Sequence, residues 1–194
     1  MTGDEALGAL LEGKSIPAKS VLLTFDDFYS SWVDPIGTNP SIVATLQDYG
    51  FNALLFVTVG KMKNSSNWNA LKKLNRTQFG IGCHNIEHYP DATASLDEVI
   101  RQVADSKNQI EKQLGITVRS YAYPYGSRND TTRLHLRKNG YKIGFNFGYG
   151  GGKEDAAWDN YSHGVRESLL EKYNITRIPM TQINKYSFND IFGA

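Results

Sequence analysis

The stretch VLLTFDD, Val21 to Asp27, decides how the chain is to be read. Five apolar or β-favouring residues, Val21 to Phe25, have the length and composition of a buried strand, and two adjacent carboxylates, Asp26 and Asp27, follow at its end. Neighbouring strand residues face opposite ways, so a purely structural role is hard to assign to both acids. Taken alone, the pair also reads as a helix cap or turn.

Working outward, strand-length apolar runs alternate with segments of helical period. Further strands are predicted at Ala53 to Thr58, Phe79 to Cys83, Arg119 to Tyr123, Tyr141 to Phe147 and Ile175 to Met180. Between them, Asn39-Pro40 predicts a helix start with proline in its first position, and Gly50 its left-handed end. An amphipathic segment covers Trp68 to Leu74. Ser95 with Glu98 forms a capping box for a helix running to Leu114 and closed by Gly115. Another helix is predicted from Asn129 to Gly140 and a last one over Phe188 to Phe192. Repeated βα units without an internal linker predict a parallel α/β fold, either an irregular or incomplete barrel or an open doubly wound sheet. The 194 residues read as a single domain, 1–194, with its core over about 20–182.

Composition excludes more than it names. A net charge of +1, from 21 basic and 20 acidic residues, comes without any run of like charge, so neither a nucleic-acid arm nor a polybasic membrane patch is indicated. The one cysteine, Cys83, rules out an internal disulfide and reads as a small buried residue. No apolar stretch approaches the roughly 20 residues of a membrane span, and any export signal would lie outside this sequence. Oligomeric state leaves no signature.

In both barrel and open-sheet readings, function sits at the C-terminal strand ends. Asp26 and Asp27 follow the first strand, His84 and His88 the third, Pro124 to Arg128 the fourth, and a long glycine-rich segment, Gly148 to Gly164, the fifth. Two histidines four residues apart fit one side of a helical turn, from which both imidazoles can reach one metal ion. With one carboxylate they make a facial set that leaves positions open for water and substrate. The second carboxylate is then free to take a proton from that water.

Three segments carry a resemblance to a known family. Thr24-Phe25-Asp26-Asp27, His84-Asn85-Ile86-Glu87-His88 and Tyr123-Pro124-Tyr125-Gly126, in this order, are similar to the first three motifs of the polysaccharide deacetylases of carbohydrate esterase family 4, over at least residues 20–127. The resemblance implies a distorted (β/α) barrel with fewer than eight units. It implies Asp26 as catalytic base, and Asp27, His84 and His88 as ligands of one divalent metal, zinc first, with cobalt or nickel as alternatives. It also implies Tyr125 as the residue whose backbone N–H stabilises the oxyanion, and Tyr123, Pro124 and Tyr125 as substrate-binding residues. Its substrate would be an N-acetylglucosamine-containing polysaccharide, and its location extracellular or in the cell envelope.

The sequence departs from the family pattern in four places. Phe28 stands where a glycine often follows the aspartate pair, and Asn85 where serine or threonine usually follows the first histidine. Ala122 replaces the arginine that in many members orients the catalytic aspartate. This Ala-Tyr-Pro-Tyr-Gly form resembles the subgroup acting on poly-β-1,6-N-acetylglucosamine. Arg177 on the last strand is the candidate for a replacement cation, an ordinary ion pair being the alternative. The late Leu-x-His motif of the family is missing, which leaves His163 as the candidate general acid. Two other readings stay open: a carbohydrate-binding module that kept the fold and lost turnover, and a metal amidohydrolase acting on a small amide.

Overall fold

A computed structural model describes residues 20–147 and 175–177, together with Gly8, Ala9, Glu12 and Tyr173. Six parallel strands form one sheet in sequential order: β1 (Leu23–Asp27), β2 (Ala53–Val57), β3 (Phe79–Cys83), β4 (Ser120–Ala122), β5 (Ile143–Phe147) and β6 (Ile175–Arg177). Sequential order has no point at which the strand order reverses, and such a reversal is what defines a doubly wound sheet. The open-sheet alternative is therefore excluded, and the fold is an α/β distorted barrel with fewer than eight units.

The sheet is buried on both faces, as the near-continuous apolar strands require. On β2, Ala53, Leu55 and Val57 join the larger core against the helices, with Leu71, Val103 and Ile110. Leu54 and Phe56 point the other way, into a smaller cluster with Ala122, Ile143 and Phe145. The Phe56 and Phe145 rings meet at 5.3 Å. That second cluster is the inside of the curl. Gly82 lies there because a Cβ at its position would come within 2.6 Å of Ser120 Oγ and clash with the Phe56 ring.

The helices are α1 (Ile42–Asp48), α2 (Ser65–Lys72), α3 (Leu96–Ile100), α4 (Ser106–Leu114) and α5 (Asp130–Lys138). Helix α1 starts two residues later than Asn39-Pro40 predicts, because Ser41 caps it by accepting from the Ala44 N–H at 3.1 Å, a bond typically worth about 1 kcal/mol. Gly50 does take the left-handed conformation, with φ 66°. Ser95 caps α3 as expected, but the Glu98 carboxylate turns to Arg101 and Gln102. Between α3 and α4 the chain makes a π-helical turn over Arg101–Asp105, which the sequence did not foretell. Among the described residues no helix is long and apolar enough to cross a membrane. The glycine-rich segment 148–164, His163, the residues after Arg177 and the helix expected at Phe188 to Phe192 lie outside the described residues.

Candidate metal centre and carboxylate base

Strand β1 runs two residues further than predicted, because Asp26 pairs in register with Phe56 and Asp27 with Val57. Asp26 thus shares the inner face with Phe56. Asp27 would face the helices, but its φ of 86° and the 78° of Phe28 turn the chain at the strand end. Both carboxylates consequently meet His84: its Nε2 lies 3.8 Å from Asp26 Oδ2 and 3.9 Å from Asp27 Oδ1.

Five non-glycine residues among those described have positive φ, namely Asp27, Phe28, Asn85, His88 and Tyr125. All lie in or directly beside the three motifs singled out in the sequence. Left-handed backbone disfavours side chains with a Cβ, and such strain collects at functional sites. At Phe28 it explains why the family favours glycine here. Burial holds the exception in place, since Phe28 is 4% exposed and packs edge-on against Trp32 at 5.5 Å.

His84 and His88 sit on an irregular loop after β3, where the sequence suggested a helical turn. Asn85 shapes that loop. Its Oδ1 accepts from the His88 N–H at 2.6 Å, and its Nδ2 donates to the Tyr89 carbonyl at 2.9 Å and to Asp91 Oδ1 at 3.3 Å. The imidazoles lie edge to face at 4.9 Å. His84 Nδ1 faces the Ala122 carbonyl at 2.7 Å, an acceptor that assigns the proton to Nδ1 and leaves Nε2 bare toward the carboxylates. Burial pushes the His84 pKa below its usual value despite the pull of Asp26, the Ala122 carbonyl and Asp27. A neutral imidazole with a free Nε2 is the ligand form.

Asp27, His84 and His88 form a cluster whose ligand atoms all lie within 4.8 Å of one another. Asp27 Oδ1 is 3.5 Å from His88 Nε2, close to the roughly 3.4 Å edge that bonds of about 2.1 Å to one tetrahedral ion give. The two nitrogens and one carboxylate oxygen suit zinc, cobalt or nickel. Around Asp27, the Tyr29 hydroxyl donates to Oδ2 at 3.1 Å and Lys61 Nζ lies 3.0 Å from Oδ1. Burial acts to raise the Asp27 pKa, but Lys61 and the two histidines outweigh it and hold the carboxyl below its usual value. Cys83 is fully buried beside Ser106, its thiol pushed up to about 11 by burial, and takes no part in the cluster.

The structure brings Arg177 to Asp26. Nη1 reaches Oδ1 at 2.5 Å and Nη2 reaches Oδ2 at 2.6 Å, while Nε donates to the Asn146 carbonyl at 3.1 Å. Phe56 lies beneath the guanidinium at 5.3 Å. The cation absent at Ala122 thus has a counterpart that arrives from the opposite edge of the sheet.

Of the three residues expected to bind substrate, only Tyr125 is exposed. Its ring stands edge-on to His88 at 4.4 Å. The expectation is corrected for the side chains of Tyr123 and Pro124, which are buried. Tyr123 packs into the larger core on the helix side of the sheet, edge-on to Tyr121 at 5.4 Å, and donates its hydroxyl to the Tyr173 carbonyl at 2.7 Å.

Sequence reasoning missed Lys61, Tyr29 as a partner of Asp27, and the buried support behind the histidines. Lys61 falls just after β2, so the strand-end rule would have found it. Asp91 and Gln102 lie inside a turn and a helix and carry no such signal.

The Asp-His-His cluster and the arginine-held carboxylate thus lie together at the C-terminal strand ends of a curled parallel sheet. The family model for polysaccharide deacetylase matches residues 13–144, well over half of the chain. The chain belongs to that family, carbohydrate esterase family 4. It is 26% identical over 147 residues to YxkH of Bacillus subtilis (strain 168), whose name assigns it to the polysaccharide deacetylases. The match covers 74% of the chain and 50% of YxkH, so the chain spans about half the length of that relative. The fold is shared with the Streptococcus pyogenes deacetylase PplD, solved with acetate (TM-score 0.70, 24% identity, 92% of this chain and 72% of that one). A pseudoenzyme of the same family from Bacillus anthracis, BA3943, shares it too (TM-score 0.55, 22% identity, 66% of this chain and 43% of that one).

Proposed function

We propose that the protein hydrolyses N-acetyl groups of an N-acetylglucosamine-containing polysaccharide and releases acetate. Asp27, His84 and His88 hold one divalent ion, zinc before cobalt or nickel. Bound there, the ion supplies a water of lowered pKa and polarises the acetamide carbonyl. Asp26 takes the proton of the attacking water, and Arg177 fixes the orientation of its carboxylate by engaging both oxygens. The Tyr125 backbone N–H donates to the developing oxyanion. The exposed Tyr125 ring offers the sugar a flat contact. His163, the late histidine, is the residue we assign to protonating the leaving amine.

The observation that carries this reading is the bidentate Asp26–Arg177 pair standing beside the ligand cluster. It gives the base an orienting partner even though Ala122 supplies none. Because a pseudoenzyme shares the fold, activity is inferred from these residues and not from the fold. Ala122 also favours poly-β-1,6-N-acetylglucosamine over peptidoglycan or chitin-like chains, and such a substrate agrees with an extracellular or envelope location.

Metal analysis tests the centre. Wild type should carry about one ion per chain, Asp26→Asn should keep it, and His84→Ala and His88→Ala should lose it. A wild type that takes up no zinc, cobalt or nickel would sink the reading.

A further inference from the structure

The π-helical turn over Arg101–Asp105 interrupts an otherwise continuous helix, and such turns tend to mark functional positions. Its second residue, Gln102, is fully buried and uses both ends of its amide. Oε1 accepts from the backbone N–H groups of Ile86 at 2.9 Å and Glu87 at 3.2 Å. Nε2 donates to Glu98 Oε1 at 2.6 Å and to Glu87 Oε2 at 3.2 Å. Arg101 holds the same two carboxylates, each at 2.7 Å.

Ile86 and Glu87 form the middle of the loop from His84 to His88. Its opposite side is tied to the end of β2: Val59 N–H donates to the Asn85 carbonyl at 3.0 Å and Gly60 N–H to the Ile86 carbonyl at 2.7 Å. Gly60 admits this approach because a Cβ there would lie 2.6 Å from the Ile86 oxygen. The loop carries two strained residues, Asn85 (φ 53°) and His88 (φ 57°), so it needs support to keep its shape. Backbone bonds provide that support on one face. Within the loop the Asn85 side chain accepts from the His88 N–H, and on the other face Gln102 Oε1 accepts from the Ile86 and Glu87 amides.

We propose that Gln102 is a positioning residue for the metal centre, presented by the π turn so that its amide oxygen clamps the loop and fixes the spacing of His84 and His88. The inference rests on reading those histidines, with Asp27, as the ligand set. Without the clamp the two loop amides lose their acceptor, and the ligand atoms separate from the arrangement one ion needs. Metal affinity falls because part of the binding free energy goes into re-forming the loop.

The test uses the full chain with Gln102→Met, which keeps the volume and removes the acceptor, and the double variant Gln102→Glu/Glu98→Gln, which keeps an acceptor oxygen at 102 and moves the donating amide to 98. Zinc affinity is read by chelator competition, and hydrogen exchange at the Ile86 and Glu87 amides is read on metal-free protein. Gln102→Met should weaken zinc binding by about ten- to a hundredfold, the range typical of groups that orient ligands, and should speed exchange at those two amides above the rest of the sheet. Gln102→Glu/Glu98→Gln should recover most of both. Wild-type affinity in Gln102→Met, or exchange raised evenly across the molecule, would overturn the proposal. If Gln102→Met does not fold, a hundredfold loss in Gln102→Glu/Glu98→Gln overturns it equally. A wild type that binds no zinc instead refutes the ligand reading itself.

Discussion

Arg177, on the last described strand, closes on both carboxylate oxygens of Asp26, on the first, at 2.5 and 2.6 Å and across 151 residues of chain. The contact joins the two edges of the sheet by side chains and fixes the orientation of the Asp26 carboxylate. Planar two-point recognition is a property of guanidinium that lysine cannot reproduce. Arg177→Ala should therefore lower kcat by about a hundredfold, within the range general-base catalysis contributes, while metal content and KM change little. Arg177→Lys should fall between the two. Steady-state kinetics with metal analysis check this; an unchanged kcat in Arg177→Ala would leave Asp26 without need of its partner.

Phe28 sets local strain against burial. Removing a buried phenylalanine costs about 3–5 kcal/mol, whereas relieving one left-handed residue returns about 1 kcal/mol. Phe28→Gly should thus destabilise the protein by about 2–4 kcal/mol, and Phe28→Ala by about 1 kcal/mol more, because alanine loses the packing and keeps the strain. Urea unfolding measures both. Equal losses in the two variants would show that the φ of 78° carries no cost.

How far these features were legible in the sequence depends on the range of the interaction. Strands β2 and β3 appear nearly where their apolar runs predict, since a parallel strand buried on both faces announces itself locally. Asp26 and Asp27 at the end of one predicted strand, and His84 and His88 just after another, were picked out by that position, and the structure places the four side chains together. Pro40 misplaced the start of α1 by competing with Ser41, whose capping bond decides the boundary. Arg177 could only be a candidate, because nothing local tells an arginine in β6 that it will meet β1. Tyr123 and Pro124 looked like binding residues by motif, but their side chains are buried, that of Tyr123 in the core between sheet and helices, a long-range packing that the motif does not encode. Gln102 left no trace, since the π turn that aims it depends on a loop 15 residues earlier.

Asp91 predicts a pH dependence of stability. Burial raises its pKa to about 7 from 3.8, even though Tyr121 and Asn85 donate to its oxygens. In the window between those values the folded protein holds a proton that the unfolded chain has released. Stability contributed by this group is therefore full below about pH 4 and lost as pH rises through about 7. Asp91→Asn removes that slope. Thermal unfolding from pH 5 to 8 should show the difference between wild type and Asp91→Asn moving in favour of the variant as pH rises; parallel profiles would place the Asp91 carboxyl in its ordinary range.

Deacetylation by this centre is tested most directly by acetate release from N-acetylglucosamine oligomers with zinc-loaded protein, binding of the same oligomers being measured in parallel. Wild type should release acetate, and Asp26→Asn should release none above background while it still holds its metal and still binds the oligomer. Binding by wild type without acetate would contradict the proposed chemistry and leave a carbohydrate-binding module on a deacetylase fold.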